Sequence, residues 1–196
     1  MSTPPKEGKL LYHLTAIDNI ENIIKSGLLP RNELQKKNIS FQDTANQEIL
    51  QRRSDKNLGD FVPFHFFIKN PYDGAQLKGY ADKHWVYIVV YRPRDKEKHN
   101  WHIIPKHPLS EASHTLDIES YDDGFDKIDW ELVAKRDYHD QECKKACMCE
   151  ALHYGAIPTS SFFKIVCKTD EDKQKIDIIL KEFNQKCICE VNTTWF

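Results

Sequence analysis

The feature of the sequence that most restricts its fold is an unbroken apolar run from Trp85 to Tyr91, Trp-Val-Tyr-Ile-Val-Val-Tyr. A run of β-branched and aromatic residues of this length favours a β-strand. A membrane-spanning helix needs roughly 18 apolar residues, and no run in the chain approaches that length. The pattern therefore predicts a globular protein with a strand at this position and argues against a membrane protein.

The rest of the chain predicts strands and helices in mixed order. Asp18 and Glu21 have the spacing of a capping box at the start of a helix, and Gly27 stands where that helix is expected to end. Pro63 restricts the apolar segment around it to the edge of a sheet or to the start of a strand. Further strands are predicted at residues 10–14, 61–67, 162–168 and 187–191, and helices at residues 140–149 and 170–185.

The segment 92–127 is charged and irregular and predicts a long surface excursion. Because strands and helices occur without strict alternation, we expect an α+β fold, with residues 1–196 forming a single domain.

The charge composition limits the kind of nucleic-acid surface that the protein can offer. The formal net charge is −2, so phosphate contacts must come from a local groove with clustered basic residues. The N-terminal segment Met1–Lys6 lacks the apolar core of a secretion signal. We therefore expect a cytoplasmic location.

All six cysteines lie in the last third of the chain, which is not the distribution of a disulfide framework. We expect free thiols that pack as small apolar side chains, and no metal. A zinc site is the alternative. Its candidate ligands are Cys143, Cys147, Cys149, Cys187 and Cys189.

Glu150 stands out because it lies in an otherwise apolar stretch, residues 146–152. Burial of a lone carboxylate is costly, so this side chain must be paired or functional, or it must point to solvent. The alternation of residues after it predicts a strand that begins at Glu150, although the preceding helix could also continue to Tyr154. The residues alone leave these alternatives open.

Two other polar groups could bind a ligand. His13 and Thr15 share one face of a predicted strand, where an imidazole and a hydroxyl could hold a ribose; a structural histidine is the alternative. Arg52 and Arg53 precede an apolar strand, where a guanidinium could bind a phosphate through two hydrogen bonds. No glycine-rich dinucleotide fingerprint occurs, so a bound dinucleotide would not be held by one.

Aromatic residues stand beside charged residues at Asp129-Trp130 and Arg136-Asp137-Tyr138. Such clusters suit the stacking of nucleic-acid bases, although a tryptophan is more often a core residue.

The order of these segments resembles that of the DarT family of DNA ADP-ribosyltransferase toxins. The opening of that family is similar to Tyr12-His13-Leu14-Thr15, then Asp18–Ile23 and Gly27-Leu28-Leu29. Its arginine-bearing segment and V-P-F-Y-F-like strand are similar to Arg52-Arg53 and Phe61–Phe66. Its segment with the catalytic glutamate is similar to Cys149-Glu150-Ala151-Leu152, preceded by Asp129-Trp130 and Lys144-Lys145. The resemblance continues to Trp195-Phe196 and so covers nearly the whole chain.

Three segments depart from the family pattern. His65 stands where the family often has tyrosine, Ile68–Tyr72 replaces a more basic stretch, and Cys147-Met148-Cys149 replaces polar residues. The family includes branches that modify thymidine and branches that modify guanosine, so these departures leave open which base accepts the ADP-ribose.

The resemblance implies a two-sheet ADP-ribosyltransferase fold with flanking helices and NAD⁺, as co-substrate, in a cleft between the sheets. It implies that Glu150 stabilises the oxocarbenium-like ribose as nicotinamide leaves. Arg53, or Arg52, would hold the pyrophosphate and help to organise the acceptor. The residues implied to bind NAD⁺ are His13, Thr15, Asn19, Arg52, Arg53, Phe64 and Tyr72.

The resemblance also implies transfer of ADP-ribose to guanine or thymine in single-stranded DNA, and a cognate antitoxin of the ADP-ribosyl hydrolase type. The alternatives are an ADP-ribosyltransferase that acts on RNA or protein, a non-catalytic NAD- or nucleic-acid-binding module, and a zinc-stabilised DNA-binding protein. A non-catalytic module would be expected to have lost Glu150, which is present.

Overall fold

The computed structural model describes residues 3–42, 51, 53–108 and 118–196. The strands in these residues are β1 (Leu10–Ala16), β2 (Phe61–Phe64), β3 (Trp85–Tyr91), β4 (Trp101–Ile104), β5 (Glu119–Ser120), β6 (Glu150–Tyr154), β7 (Phe162–Cys167) and β8 (Ile188–Val191). The helices are α1 (Ile20–Ser26), α2 (Arg31–Lys36), α3 (Pro71–Gly79), α4 (Tyr121–Lys127), α5 (Trp130–Lys135), α6 (Gln141–Ala146) and α7 (Asp170–Glu182). Across these described ranges, no helix is long and apolar enough to cross a membrane.

The strands form two four-stranded sheets, with the order β1-β3-β7-β8 in the first and β2-β6-β4-β5 in the second. The second sheet is antiparallel throughout, whereas β8 adds to the first sheet in parallel with β7. The predicted strand at residues 85–91 is confirmed: β3 lies inside the first sheet, between β1 and β7. Pro63 lies on an edge strand, as predicted, because β2 pairs only with β6 within its sheet.

The main core lies between the two sheets. Val86 and Ile88 of β3 and Phe64 and Ile103 of the second sheet are all fully buried in it. Helices α1 and α7 add apolar side chains to the same core, including Ile24. Burial of this kind supplies most of the free energy that stabilises a small domain. The α+β fold with two sheets and flanking helices is therefore confirmed.

The helix that follows β1 does not begin as the sequence predicts. Residues Ile17–Asn19 form a 3-10 turn, α1 begins at Ile20, and Asp18 forms no capping hydrogen bond. The N-cap position is taken by Asn19, whose side chain forms hydrogen bonds elsewhere. The predicted end at Gly27 is confirmed, because its φ of +83° is one that glycine adopts readily.

The prediction that residues 92–127 form a long surface excursion is wrong. It contains β4, which pairs with β6 inside the second sheet and buries Trp101, Ile103 and Ile104. The four-residue strand is too short, and too closely surrounded by charged residues, to show a clear periodicity.

Trp130 packs against the core, and most of the cysteines lie inside it. The indole of Trp130 packs against Phe66 and Phe125 and donates a hydrogen bond to the Phe125 carbonyl. The Arg92 guanidinium lies over the same rings and donates hydrogen bonds to the Lys6 and Pro5 carbonyls, which fixes the N-terminal turn. All six cysteines are free, and five of them are buried. Among the described residues, no cluster of side chains could hold a metal ion.

Candidate active site

A cavity of about 610 Å³ lies between the two sheets and helices α1 and α2. Its volume falls within the range of roughly 300–1,000 Å³ that is typical of small-molecule sites. The predicted site residues that line it are His13, Thr15, Asn19, Arg53, Tyr72 and Glu150. Strands from both sheets and a helical segment at residues 53–55 therefore converge on one site.

Glu150 is the first residue of β6, where it pairs with Ile104 of β4. Its side chain is 6 % exposed and faces the cavity. The Arg53 Nη1 atom donates hydrogen bonds to both carboxylate oxygens, at 2.9 Å and 3.0 Å. The carboxylate is thus buried, paired and part of the cavity lining, and Glu150 begins a strand, so the alternatives of a continued helix and of a solvent-facing side chain are both wrong.

Arg53 has a second guanidinium nitrogen, Nη2, that does not contact Glu150 in the described hydrogen bonds. Among the described residues, its Nη2 atom has no hydrogen-bond partner although it is buried. A buried donor without a partner is costly, so this atom suits an acceptor oxygen of a bound molecule. The neighbouring Arg52 lies outside the described residues, and its predicted role stays a prediction.

His13 lies on β1 with its ring partly buried. Its Nδ1 atom is 2.8 Å from the carbonyl oxygen of Pro63. Because a carbonyl only accepts, Nδ1 carries the proton and Nε2 is left as an acceptor. Burial lowers the pKa of His13 to about 4, so the ring is neutral at physiological pH. A neutral imidazole of this tautomer can accept a hydrogen bond from a ribose hydroxyl or a carboxamide.

The side chain of Asn19 connects two segments that line the cavity. Its Nδ2 atom donates to the Thr15 hydroxyl at 3.1 Å and to the Gln42 carbonyl at 3.0 Å. Its Oδ1 atom accepts from the Gln42 backbone N–H at 2.6 Å. Because these contacts use both ends of the amide, Asn19 acts on the cavity by fixing Thr15 and Gln42.

Phe64 does not line the cavity, in contrast to what the resemblance implies. Its side chain is fully buried in the core, with its ring 5.6 Å from the ring of His13 and 5.5 Å from that of Trp101. Side chains alternate between the faces of a strand, so the neighbours Pro63 and His65 reach the cavity instead. Phe64 therefore contacts His13 from the core and not from the cavity.

Tyr72 lies at the start of α3 and lines the cavity beside His65. The two rings are 5.8 Å apart and inclined by 31°. The Nδ1 atom of His65 is 3.2 Å from the Cys149 carbonyl, to which it donates. His65 therefore contacts the residue immediately before Glu150.

His107, which the sequence did not single out, lines the cavity near Glu150, together with Met148, which the sequence marked only as part of a departure from the family pattern. The backbone N–H of His107 donates to the Lys145 carbonyl at 2.9 Å. Burial lowers the pKa of His107, and the negative charge of Glu150 opposes that effect. His107 lies in the segment that the sequence predicts to be a surface excursion, where no periodicity marks it.

Comparison with known families gives one model that matches most of the chain. The model of DarT, described as ssDNA thymidine ADP-ribosyltransferase, matches residues 12–196. A DNA ADP-ribosyl transferase from Thermus sp. (strain 2.9) is 25% identical over an alignment of 187 residues, and the match covers 88% of this chain and 88% of the relative.

Solved structures share the fold. Thermus sp. 2.9 DarT in complex with ADP-ribosylated ssDNA superposes with a TM-score of 0.79 and 22% identity, over 100% of both chains. The same protein in complex with NAD⁺ gives a TM-score of 0.72 and 20% identity, over 97% of this chain and 98% of the other. Thermosipho africanus DarTG in complex with ADP-ribose gives 0.71 and 18% identity, over 96% of this chain but 51% of that longer chain.

Proposed function

The chain belongs to the DarT family of ssDNA thymidine ADP-ribosyltransferases, and on this premise we propose that its cavity holds NAD⁺ with the ribose against Glu150. The chain is an NAD⁺-dependent DNA ADP-ribosyltransferase, which cleaves NAD⁺, releases nicotinamide and transfers ADP-ribose to a base in single-stranded DNA. Thymine is the acceptor that we propose, because the family model specifies thymidine. The complexes of Thermus DarT with NAD⁺ and with ADP-ribosylated ssDNA support both substrates.

The observation that carries the proposal is the buried carboxylate of Glu150, fixed by Arg53 at the wall of the cavity. When the bond between the ribose C1′ and nicotinamide breaks, its electron pair moves to the nicotinamide ring and positive charge develops on the ribose. A fixed carboxylate close to this charge stabilises the transition state. The attacking nitrogen of the base then forms the new bond to C1′ and loses its proton, which Glu150 accepts as general base.

The other cavity residues bind and orient NAD⁺ in this proposal. The neutral His13 accepts a hydrogen bond through Nε2, and Thr15 adds a hydroxyl on the same face of β1. The Nη2 of Arg53, which has no hydrogen-bond partner among the described residues, donates to an oxygen of the pyrophosphate or of the acceptor base. The base must be unstacked to reach C1′, which accounts for a single-stranded substrate.

The experiment that tests the function is incubation of the purified chain with NAD⁺ and four single-stranded oligonucleotides, each lacking one of the four bases. Mass spectrometry then detects the added ADP-ribose, with Glu150→Gln as the inactive control. We expect transfer to every oligonucleotide except the one without thymine. If only the oligonucleotide without guanine failed, the acceptor would be guanine. Transfer to RNA or protein in preference to DNA would refute the proposed substrate class.

Membership of the same family also leads us to propose a partner protein that reverses or blocks the modification. The longer chain of Thermosipho DarTG, half of which this chain matches, supports a cognate antitoxin of the ADP-ribosyl hydrolase type. We expect the wild type, but not Glu150→Gln, to stop the growth of a bacterial host. Normal growth with active wild-type enzyme would contradict this role.

The domain organisation and the location are part of the same proposal. Residues 1–196 act as a single ADP-ribosyltransferase domain, which predicts one cooperative unfolding transition. A cytoplasmic location is tested by cell fractionation with an epitope-labelled chain.

A further inference from the structure

His65 connects the two sheets beside the cavity. Its backbone N–H donates to the Tyr12 carbonyl and its carbonyl accepts from the Tyr12 N–H, both at 2.9 Å. This pair of hydrogen bonds forms an isolated bridge between β1 in the first sheet and the residue that follows β2 in the second. The backbone of His65 is therefore hydrogen-bonded to the first sheet, although the residues that precede it form β2 of the second.

Among the described residues, the ladder between β2 and β6 stops one residue short of Glu150, the first residue of β6. The ladder between β2 and β6 ends at the pair Phe64↔Ala151. The next pair in that antiparallel register would place His65 opposite Glu150, but the N–H and carbonyl of His65 point away from β6 and pair with Tyr12. The His65 side chain continues the connection instead, with its Nδ1 atom 3.2 Å from the Cys149 carbonyl.

The hydrogen bond acts on the peptide group that leads into Glu150. The Cys149 carbonyl accepts only, so Nδ1 of His65 carries the proton that is shared. His65 is 7% exposed and lines the cavity, with its ring against Tyr72. It thus lies between the β1 wall, which carries His13, and the carboxylate of Glu150.

We propose that His65 is a positioning residue for the transfer reaction: its Nδ1–H fixes the Cys149 carbonyl and so holds Glu150 in register with Arg53 and the bound ribose. This inference rests on the proposed function of Glu150. A hydrogen bond of this kind contributes little to the stability of a whole domain. A misplacement of about 1 Å at a reacting centre, however, can lower a rate on the order of 100-fold.

Two amide substitutions separate this role from a general loss of packing. In His65→Asn the amide nitrogen takes the place of Nδ1 and can still donate to the Cys149 carbonyl. In His65→Gln the amide group lies at the position of Nε2, and the hydrogen bond is lost. His65→Phe, a third variant, keeps a ring against Tyr72 but has no donor.

The measurement is kcat and KM for NAD⁺ with a saturating single-stranded oligonucleotide, together with the unfolding midpoint of each variant. We expect kcat of His65→Asn within about threefold of wild type. We expect kcat of His65→Gln and His65→Phe to fall by about 10- to 100-fold, with KM for NAD⁺ changed less than about threefold.

Equal kcat values for His65→Asn and His65→Gln would overturn the inference. A rise in KM at constant kcat would also overturn it, because His65 would then bind NAD⁺ and not position Glu150. If kcat fell in all three variants in proportion to the fraction of unfolded protein, His65 would have only a structural role and the inference would be overturned. An inactive wild type, in contrast, would refute the proposed function itself.

Discussion

Arg53 and Glu150 are 97 positions apart in the chain, yet a single guanidinium nitrogen of Arg53 donates to both oxygens of the Glu150 carboxylate. This arrangement holds the carboxylate in one orientation at a position where its side chain is only 6% exposed. It also leaves the second guanidinium nitrogen for a ligand, since no described residue accepts from it. This ion pair thus orients a carboxylate for contact with the ribose and leaves a guanidinium nitrogen that can donate to a second group.

Glu150→Gln should abolish most of the transfer with little effect on the fold. The amide has the same shape but no negative charge, so we expect kcat/KM to fall by about 10²–10⁴-fold. Glu142→Gln is the matched control, because Glu142 pairs with Lys145 on the surface, where its side chain is 72% exposed. The control should stay within about twofold of wild type. Transfer by Glu150→Gln at the wild-type rate would remove the catalytic assignment.

Arg53→Lys should lower kcat/KM by about 10- to 100-fold. A single ammonium group cannot contact the carboxylate and also present a planar donor to a ligand. If the two residues act as a unit, the double variant with Glu150→Gln should be hardly slower than Glu150→Gln alone. Additive losses in this double-mutant cycle would show that Arg53 acts independently, for example on the pyrophosphate only.

The stability of the protein should fall as the pH is lowered below about 6.5, in part through His13. Burial lowers the pKa of His13 from 6.5 to about 4. Between these values the unfolded chain binds a proton that the folded chain does not, so the free energy of unfolding decreases as the pH falls. The contribution is complete above the unfolded pKa and amounts to at most about 3 kcal/mol.

His13→Asn tests this dependence, because the amide can still donate to the Pro63 carbonyl but does not titrate. Urea unfolding between about pH 4 and pH 7 should give a flatter curve for this variant than for wild type. Identical slopes would mean that other groups, and not His13, cause the loss of stability in acid.

Asn19→Ala should weaken the binding of NAD⁺ more than it slows the chemical step. It removes the contacts of Asn19 with Thr15 and Gln42, so KM for NAD⁺ should rise about tenfold while kcat changes little. Asn22→Ala is the matched control, since Asn22, in the following helix α1, also lines the cavity but loses one exposed hydrogen bond, to the Ser40 carbonyl. Equal KM values for the two variants would contradict the role of Asn19 in the cavity wall.

Gly27→Ala should destabilise the protein by about 1–3 kcal/mol. The φ of Gly27 is +83°, and a β-carbon there would lie 2.7 Å from the Ile157 carbonyl oxygen. Gly74→Ala, inside α3, is the opposite case, because a β-carbon there meets no atom within 4 Å. That variant should be about 0.5–1 kcal/mol more stable than wild type. Urea unfolding of both variants measures this difference in stability. Equal unfolding midpoints for Gly27→Ala and Gly74→Ala would contradict the prediction.

The features that depend on local sequence were predictable. The strand at residues 85–91, the end of α1 at Gly27 and the edge position of Pro63 follow from apolar runs and from the restricted dihedral angles of glycine and proline. The strand that begins at Glu150 was one of two alternatives that the alternation of residues left open, and the structure selects it. The order of the motifs was sufficient to indicate the DarT family.

What the sequence could not decide depends on contacts between distant residues. The pairing of Arg53 with Glu150, the use of Asn19 to hold Gln42 and the bridge from His65 to Tyr12 each require a particular register of strands and helices. A one-residue change in that register turns side chains to the opposite face, so local patterns cannot specify which groups meet. By itself the sequence therefore determined the strands, the turns and the family, whereas only the tertiary structure decided which polar groups converge on the cavity. Convergence depends on how the two sheets pack around their shared core, and no local stretch of residues encodes that packing.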